Sequence, residues 1–531
     1  MNKTFLHQFA KYLDPVANLK IILKHRIIFL AVIVILTLFL GAFIPKLTFK
    51  TSIHDLVIED LPENKQYEAF KAIFGSEEII RLVIKCENVF DPLNFQKINQ
   101  LEKAAESING VQRVIGLPGI KKAVDLSGNW SMEKFVAFVS GVDLFKRNLI
   151  SEDRNTTVIT LVLEEAAIQS EVIASVQRLI DETEPSLRLY QVGMPLVSQA
   201  LAQFTQRDFM RLPPISFLLI AAVLFLIFRK VAYTFIPLSC IFVCLIWTFG
   251  MVSILKVPLS ILTMIVPVFL IAVGTAYCLH TLAEFRASST PDRLPTQTAT
   301  LTLSKTALPT FLAIMTTMLG LGSLFINRIS AIREFALFAC IGMTVFLILI
   351  MTYLPVMLSF LSFRQGSPSD EKPEASLLDR FINGIVNLNL HHQRITLMVL
   401  AGIVAFAGVG LFRLQTETNP VGFFKADTQV VKNFHDIYQD LSGSFPVNVV
   451  MTSPTEDYFE NAVHIAGIEK LQRYLDGLPG VDKTISFADY LKLVNYTSNR
   501  FDPAYYKLPT ESWELRMLMN TYKSLLGMDI F

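Results

Sequence analysis

Charge is scarce in this chain. Only 18% of its 531 residues are Asp, Glu, Lys or Arg, against about 25% in an ordinary soluble domain. The formal net charge is +1, which removes any argument for nucleic acid or a strongly charged partner. Cysteine is sparse as well. Of the five, Cys240, Cys244, Cys278 and Cys340 sit inside apolar runs, and Cys86 stands alone in the first polar region. No disulfide framework is available from that set. Cys240 and Cys244 share a helix face, which suits packing better than metal ligation. The marks of catalysis are missing too: no phosphate-cradling glycine loop, no zinc-ligand spacing, no nucleophile elbow. This excludes an enzyme, ATP use, a metal site and a cofactor from the expectation. His391-His392 has no further ligands nearby and reads as an interfacial pair. A cleavable signal is also lacking. The first apolar run starts at Ile27, after Lys20, Lys24, His25 and Arg26, and ends without a small-residue cleavage site.

What is abundant is hydrophobic sequence, 52% of the chain, gathered into long uncharged runs. Seven are long enough to span a bilayer: Ile27–Ile44, Leu212–Phe228, Val231–Leu255, Val257–Leu279, Ala307–Ile326, Phe335–Ser362 and Ile395–Phe412. Pro213-Pro214 predicts a kink where the second begins. Lysine and arginine in the short loops set the orientation. Arg229-Lys230, then Arg286, Arg293 and Lys305, then Arg364, Lys372, Arg380 and Arg394 share one side with the N-terminus. That side is expected to be the cytoplasm.

The remaining sequence divides around these runs. Residues 1–26 predict an amphipathic helix on the inner membrane surface, with Phe5, Phe9, Leu13 and Val16 on one face. Residues 45–211 form a first extracytoplasmic domain. Residues 212–362 hold spans two to six. Residues 363–394 are a cytoplasmic linker and a second amphipathic helix over Ser376–Leu390. Residues 395–412 are the seventh span, and 413–531 a partial second extracytoplasmic domain. In the first domain, strand signals at Ile80–Lys85, Val111–Ile115, Thr156–Leu163 and Leu187–Val192 alternate with helices at Asn94–Ile108 and Ser170–Thr183. Lys121–Ile150 reads as an insertion. Two βαβ units of the split, ferredoxin-like kind follow. The second domain predicts a strand at Val447–Met451, a helix at Tyr458–Leu475, a strand near Lys483–Phe487 and a helical tail. The fold class is an α-helical transmembrane bundle of about seven spans with extracytoplasmic α+β domains.

The chain repeats itself. Leu6, Phe9 and Leu13 recur as Leu378, Phe381 and Ile385. Ile27–Ile44 recurs as Ile395–Phe412. Phe70, Ile73 and Phe74 recur as Phe434, Ile437 and Tyr438, and Gly110-Val111 recurs as Gly480-Val481. An offset near ~370 residues, carrying membrane and soluble parts together, implies a duplicated transporter whose halves work against each other. The second copy stops partway, so a missing second half or a partner subunit is expected.

Local motifs strengthen this reading. They include Val192-Gly193-Met194-Pro195 with Asp208 ahead of the second span, and Pro267 followed by Gly274-Thr275-Ala276-Tyr277-Cys278-Leu279-His280 in the fourth. Ala307-Leu308-Pro309, Thr316-Thr317, Gly320, Gly322-Ser323-Leu324, Arg333-Glu334-Phe335 and Leu354-Pro355 follow. In this order they resemble the resistance–nodulation–division (RND) permeases. The nearest branch is the MMPL-like, hydrophobe/amphiphile exporters, related to Patched and sterol-sensing proteins. The resemblance implies a bacterial inner-membrane protein with periplasmic porter domains. It implies a hydrophobic or lipid substrate, movement driven by the proton gradient, and an assembly as a homo-oligomer or with periplasmic accessory proteins. The alternative is a non-transporting, sterol-sensing-like lipid receptor.

Coupling to protons needs a group in the membrane that changes charge. Relatives place an acid two positions after Gly274, where this chain has Ala276. His280, one turn on and on the same face, is the nearest substitute, since imidazole titrates in the useful range. Its other reading is an interfacial residue capping the span. Tyr277 and Thr275 either hydrogen-bond across to another span or tie helices together. Thr316 and Thr317 either bond back to their own helix or continue a polar line to Tyr277. Asp208, beside Arg207 and Arg211, is a helix-end or salt-bridge residue, or else couples the porter domain to the second span.

Overall fold

The computed structural model of this chain describes residues 21–49, 66–67, 69–71, 78–125, 127–164, 167–290, 292–361, 377–414, 419–442 and 446–526. The first amphipathic segment, up to residue 20, and most of the linker lie outside the described residues. The chain divides into two compact units. One comprises Met1–Val57 with Phe204–Asn419, the other Ile58–Gln203 with Pro420–Phe531.

Among the described residues, seven helices are long and apolar enough to cross a membrane: Arg26–Lys46, Met194–Phe228, Val231–Ile254, Thr263–Ser288, Pro295–Ile326, Ser330–Leu358 and Gln393–Leu411. They are numbered here as the first to seventh spans. Roughly half of the third, fourth and sixth is buried, against about a tenth or less of the others. Those three helices therefore form the bundle's interior, around Cys240, Phe285, Phe338 and Phe346. The first span packs on the third. Trp247 donates from Nε1 to Thr37 Oγ1 at 2.9 Å, and Ser253 donates to the Phe43 carbonyl at 2.7 Å. Polar contacts of this kind hold helices together where lipid removes the hydrophobic driving force. The seventh span buries none of its residues. The amphipathic helix expected before it is present as Leu377–His391.

Two boundaries differ from the sequence-based expectation. The second span does not start afresh at Leu212. One helix runs from Met194 to Phe228 with Pro213 and Pro214 inside it. The fourth begins later and ends later than Val257–Leu279. Lys256 has a left-handed backbone, φ 55°, and Pro258 cannot donate a helical hydrogen bond, so the chain turns there first. Leu259 instead donates to the Thr48 carbonyl at 2.8 Å. His280 consequently lies within the helix, two turns before its end at Ser288.

The other unit is built on one four-stranded antiparallel sheet. Its elements are β1 (Ile79–Lys85), α1 (Pro92–Glu106), β2 (Val111–Ile115), α2 (Leu117–Val124), α3 (Met132–Gly141), β3 (Thr156–Leu163), α4 (Gln169–Glu182) and β4 (Arg188–Val192). Strand order is β2-β3-β1-β4, so each βαβ unit is split by a strand of the other. β1 pairs antiparallel with β3 on one side and with β4 on the other. Ile80, Leu82 and Ile84 of β1 are fully buried, each contributing about 1.5–3 kcal/mol. Asp91 caps α1, accepting from Leu93 and Asn94 at 3.0 and 3.3 Å, with Pro92 in the first turn. The expected insertion, Lys121–Ile150, holds the end of α2 and the whole of α3.

Residues 420–531 add α5 (Gln429–Asp440), α6 (Ala462–Asp476), α7 (Phe487–Ser498) and α8 (Ser512–Leu526) to this unit. They add no strand among the described residues. The segments expected as strands at Val447–Met451 and Lys483–Phe487 belong to no sheet among the described residues, and α7 already begins at Phe487. The physical reason lies in the order of the first sheet. β1 and β2 both bond to β3 and never to each other, and neither 446–451 nor 481–486 joins a ladder among the described residues. Strand propensity alone makes no strand without a hydrogen-bonding neighbour.

Candidate functional site

The fourth span carries the expected motif residues, and its helix sorts them onto different faces. Gly274 faces inward. A methyl group there would lie 3.2 Å from Ile241 of the third span and 3.2 Å from Phe346 of the sixth. The missing side chain is what lets three helices meet. Cys278 is buried one turn on and reaches the Cys240 thiol. Thr275 is also buried, and its hydroxyl donates to the Ile271 carbonyl of its own helix at 2.6 Å. Tyr277 is half-buried with its ring 6.1 Å from Phe346. Its hydroxyl has no hydrogen-bond partner among the described residues.

The opposite face is open. Ala272, Ala276, His280, Ala283 and Ala287 recur at helical spacing, and all are exposed. His280 is the titratable member of this stripe, and Ala276 sits directly one turn before it. Near the end of the same helix, Glu284 accepts from Lys305 of the fifth span at 2.6 Å and from Ser288 at 2.8 Å. Sequence reasoning missed Glu284. Its spacing of four from His280 was a usable signal, but its pairing with Lys305 needed the packing of two spans.

The fifth span holds Thr316 and Thr317 in its own hydrogen bonding. Both hydroxyls donate to the Ala313 carbonyl at 2.9 Å, and neither reaches Tyr277. Gly320 and Gly322 have open space where a side chain would stand. Asp208 is exposed in the interior of the Met194–Phe228 helix and makes no ion pair among the described residues.

These features stand on a recognisable sequence. The pattern of the MMPL family matches residues 86–398, more than half of the chain. This protein belongs to the MMPL family. MMPL proteins are membrane proteins of the RND superfamily, a family of transporters, so the resemblance read from the fourth to sixth spans is upheld. Two curated relatives are similar to this MMPL protein. The membrane protein MJ1562 of Methanocaldococcus jannaschii is 20% identical over 354 residues, covering 62% of this chain and 89% of that one. The membrane protein YdgH of Bacillus subtilis strain 168 is 20% identical over 444 residues, 82% of this chain. The chain spans about half of that relative's length, 47%.

A second constellation lies in the sheet-bearing unit and was not anticipated. Lys85, the last residue of β1, reaches Asp436 at 2.8 Å and Asp440 at 2.7 Å on α5. Tyr190 of β4 donates to Asp436 at 2.6 Å, and Thr156 of β3 donates to Asp440 at 2.7 Å. Burial works against the Lys85 ammonium. The hydrogen bonds and charges of the two carboxylates outweigh it and raise its pKa. Burial likewise opposes ionisation of Asp436, but Lys85 and Tyr190 hold its pKa below the usual range. Beside this cluster is a cavity of about 300 Å³, walled by Leu189, Leu196 and Phe434 and by the amides of Gln177, Gln191 and Asn433. Gln191 donates to the Ile173 carbonyl and to Gln177, while its buried Oε1 has no donor among the described residues.

Proposed function

We propose that this MMPL protein is an RND-type transporter of hydrophobic or lipidic substrates, coupled to the proton gradient once a second half of the machine is present. Family membership supports the transport reading. The observation that carries the coupling is the open face of the fourth span, where His280 stands on a stripe of alanines, turned away from the packed interior of its own bundle. An ionisable group within a span is expensive unless it meets a polar partner or water, and such groups mark relays. The alanines leave room for a neighbouring helix to come close. In this reading the arginine- and lysine-bearing loops face the cytoplasm of a bacterial cell, and the sheet-bearing regions stand outside its inner membrane.

The second reading is a lipid-binding receptor of the sterol-sensing kind. Ala276 favours it, because an alanine where relatives carry an acid cannot hold a proton.

The two readings separate in proteoliposomes that hold the complete protein and a fluorescent phospholipid. Transport predicts lipid movement under an imposed pH gradient and its collapse on adding an uncoupler. Movement unaffected by the uncoupler removes the gradient from the mechanism. Saturable lipid binding without movement replaces the transporter with the receptor.

A further inference from the structure

β4 is the outermost strand on one side of the sheet, and its outer edge is free. Leu163 donates to the Glu78 carbonyl and Cys86 to the Asn155 carbonyl, both at 2.9 Å. Even-numbered residues of β1 therefore turn their main-chain groups to β3, and Arg81, Val83 and Lys85 turn theirs to β4. Their partners there are Val192, Tyr190 and Arg188. Leu189 and Gln191 consequently point N–H and C=O away from β1, and these groups have no partner among the described residues. The cavity of about 300 Å³ lies along this edge. Its walls are Gln177 and Ile180 of α4, Val430 and Asn433 of α5, and β4 itself, with no residue of β1.

We propose that the outer edge of β4 is a docking slot for one extended polypeptide segment of a partner protein, added to the sheet as a further strand. The segment is about five residues long and uncharged where it enters.

The strand itself holds the slot open. Successive side chains of β4 point to opposite faces. On one face Tyr190 donates to Asp436 of α5 at 2.6 Å. On the other Gln191 donates to Gln177 of α4 at 3.0 Å and to the Ile173 carbonyl at 3.2 Å. One helix is pinned above the edge and one below, so the slot is formed before anything enters it, which lowers the cost of binding. The free groups select the occupant. Two residues offering N–H and C=O on one edge match a second main chain, which returns both bonds to each. An acyl chain in the same place would leave those groups without a partner. The lining carries amides and apolar groups and no charged side chain, so a phosphate or a charged residue would lose water there without compensation. A second copy of this chain presents the same edge recessed between its own helices, so two copies cannot pair through it. Strand addition draws affinity from the main-chain ladder and specificity from the flanking side chains.

The test uses the full 531-residue chain in detergent and a library of acetylated, amidated peptides of about eight residues built from Val, Ile, Leu, Thr, Ser and Gln. Hydrogen–deuterium exchange is followed at Leu189 and Gln191. The expected result is rapid exchange at both in the chain alone, beside slow exchange at Tyr190, and slowing by about tenfold or more with a saturating peptide from the library. The same peptide N-methylated at the alternate residues that face β4 should not bind. In the chain, Leu189→Pro removes one outward N–H and leaves the β1 ladder whole, because proline is tolerated where the amide faces away from the sheet. It should weaken binding about tenfold or more, while Leu189→Ala, which keeps the N–H, should weaken it less. Unchanged protection of Tyr190 in both variants shows that the sheet has survived. The proposal is overturned if no peptide in the library binds, if the N-methylated peptide or Leu189→Pro binds as well as the parent, or if both amides are already slow in the chain alone. Peptide-free protection that grows with protein concentration would mean self-pairing and overturns it. Protection by added phosphatidylcholine and not by peptides would mean a lipid groove and overturns it as well.

Discussion

Lys85, at the end of β1, holds Asp440, on α5, at 2.7 Å. This contact and its neighbour with Asp436 fasten α5 to the sheet within the same unit. All three side chains are about one-fifth to one-quarter exposed, so water screens them only in part.

Removing the cation should therefore be felt. Lys85→Met leaves two facing carboxylates one helical turn apart. We expect a loss of about 1–3 kcal/mol, less than the 3–5 kcal/mol seen when a fully buried pair is broken. Urea unfolding followed by Trp130 fluorescence reads it. Adding Asp440→Asn to Lys85→Met should recover part of the loss, and a double-mutant cycle gives the coupling.

The same cluster sets a pH window. Asp436 has a depressed pKa, so its contribution is present above the ordinary value of 3.8 and is lost as pH falls through the lower folded value. Lys85 has a raised pKa, so its contribution is present below 10.5 and is lost as pH rises through the higher folded value. The melting temperature of the wild type should exceed that of Lys85→Met between those limits, with the difference closing outside them.

Glu102 of α1 should give the slope opposite to that of Asp436. It is 3% exposed, and burial pushes its pKa from 4.5 to about 7, against a hydrogen bond from Gly119. The folded state prefers the protonated form. Its contribution is present below pH 4.5 and is lost as pH rises through 7, with a slope of up to about 1.4 kcal/mol per pH unit in between. Glu102→Gln should remove this slope. Equal pH dependence in both proteins between pH 5 and 8 would contradict the assignment.

In the membrane bundle, Gly274→Val places carbon where Ile241 and Phe346 already stand. We expect a loss of about 1–3 kcal/mol from overpacking. Gly320→Val meets open space and should change little. Unfolding midpoints in mixed micelles compare the two.

His280→Ala tests the coupling proposal directly. The expected outcome in the complete protein is that the uncoupler-sensitive part of lipid movement disappears while expression and lipid binding persist. Ala276→Ser, on the same face, should keep that part. Full gradient sensitivity in His280→Ala would remove His280 from the relay.

Much of this architecture was legible in the chain. Span number followed from run length, because a bilayer demands about twenty apolar residues per helix. The β1 to β4 segments announced themselves through β-branched runs bounded by turn residues. Val447–Met451 announced itself equally well and forms no strand, because a strand needs a neighbour that no local pattern supplies. The late start of the fourth span was also written locally, in Pro258. Thr316 and Thr317 show the opposite case. Their type and depth allowed two hydrogen-bonding arrangements, and only the helix geometry places both hydroxyls on the Ala313 carbonyl.

What the sequence determined by itself is the set of elements and their apolar faces, since periodicity and run length are properties of neighbours along the chain. The tertiary structure decided which polar groups meet. Asp436 and Asp440 look like two solvent-facing residues of an ordinary amphipathic helix until β1 brings Lys85 between them. Ala276 and His280 became an open face only once the third and sixth spans had taken the other side of their helix. Such pairings arise between residues hundreds of positions apart, and chain-local physics holds no information about them until the core has packed.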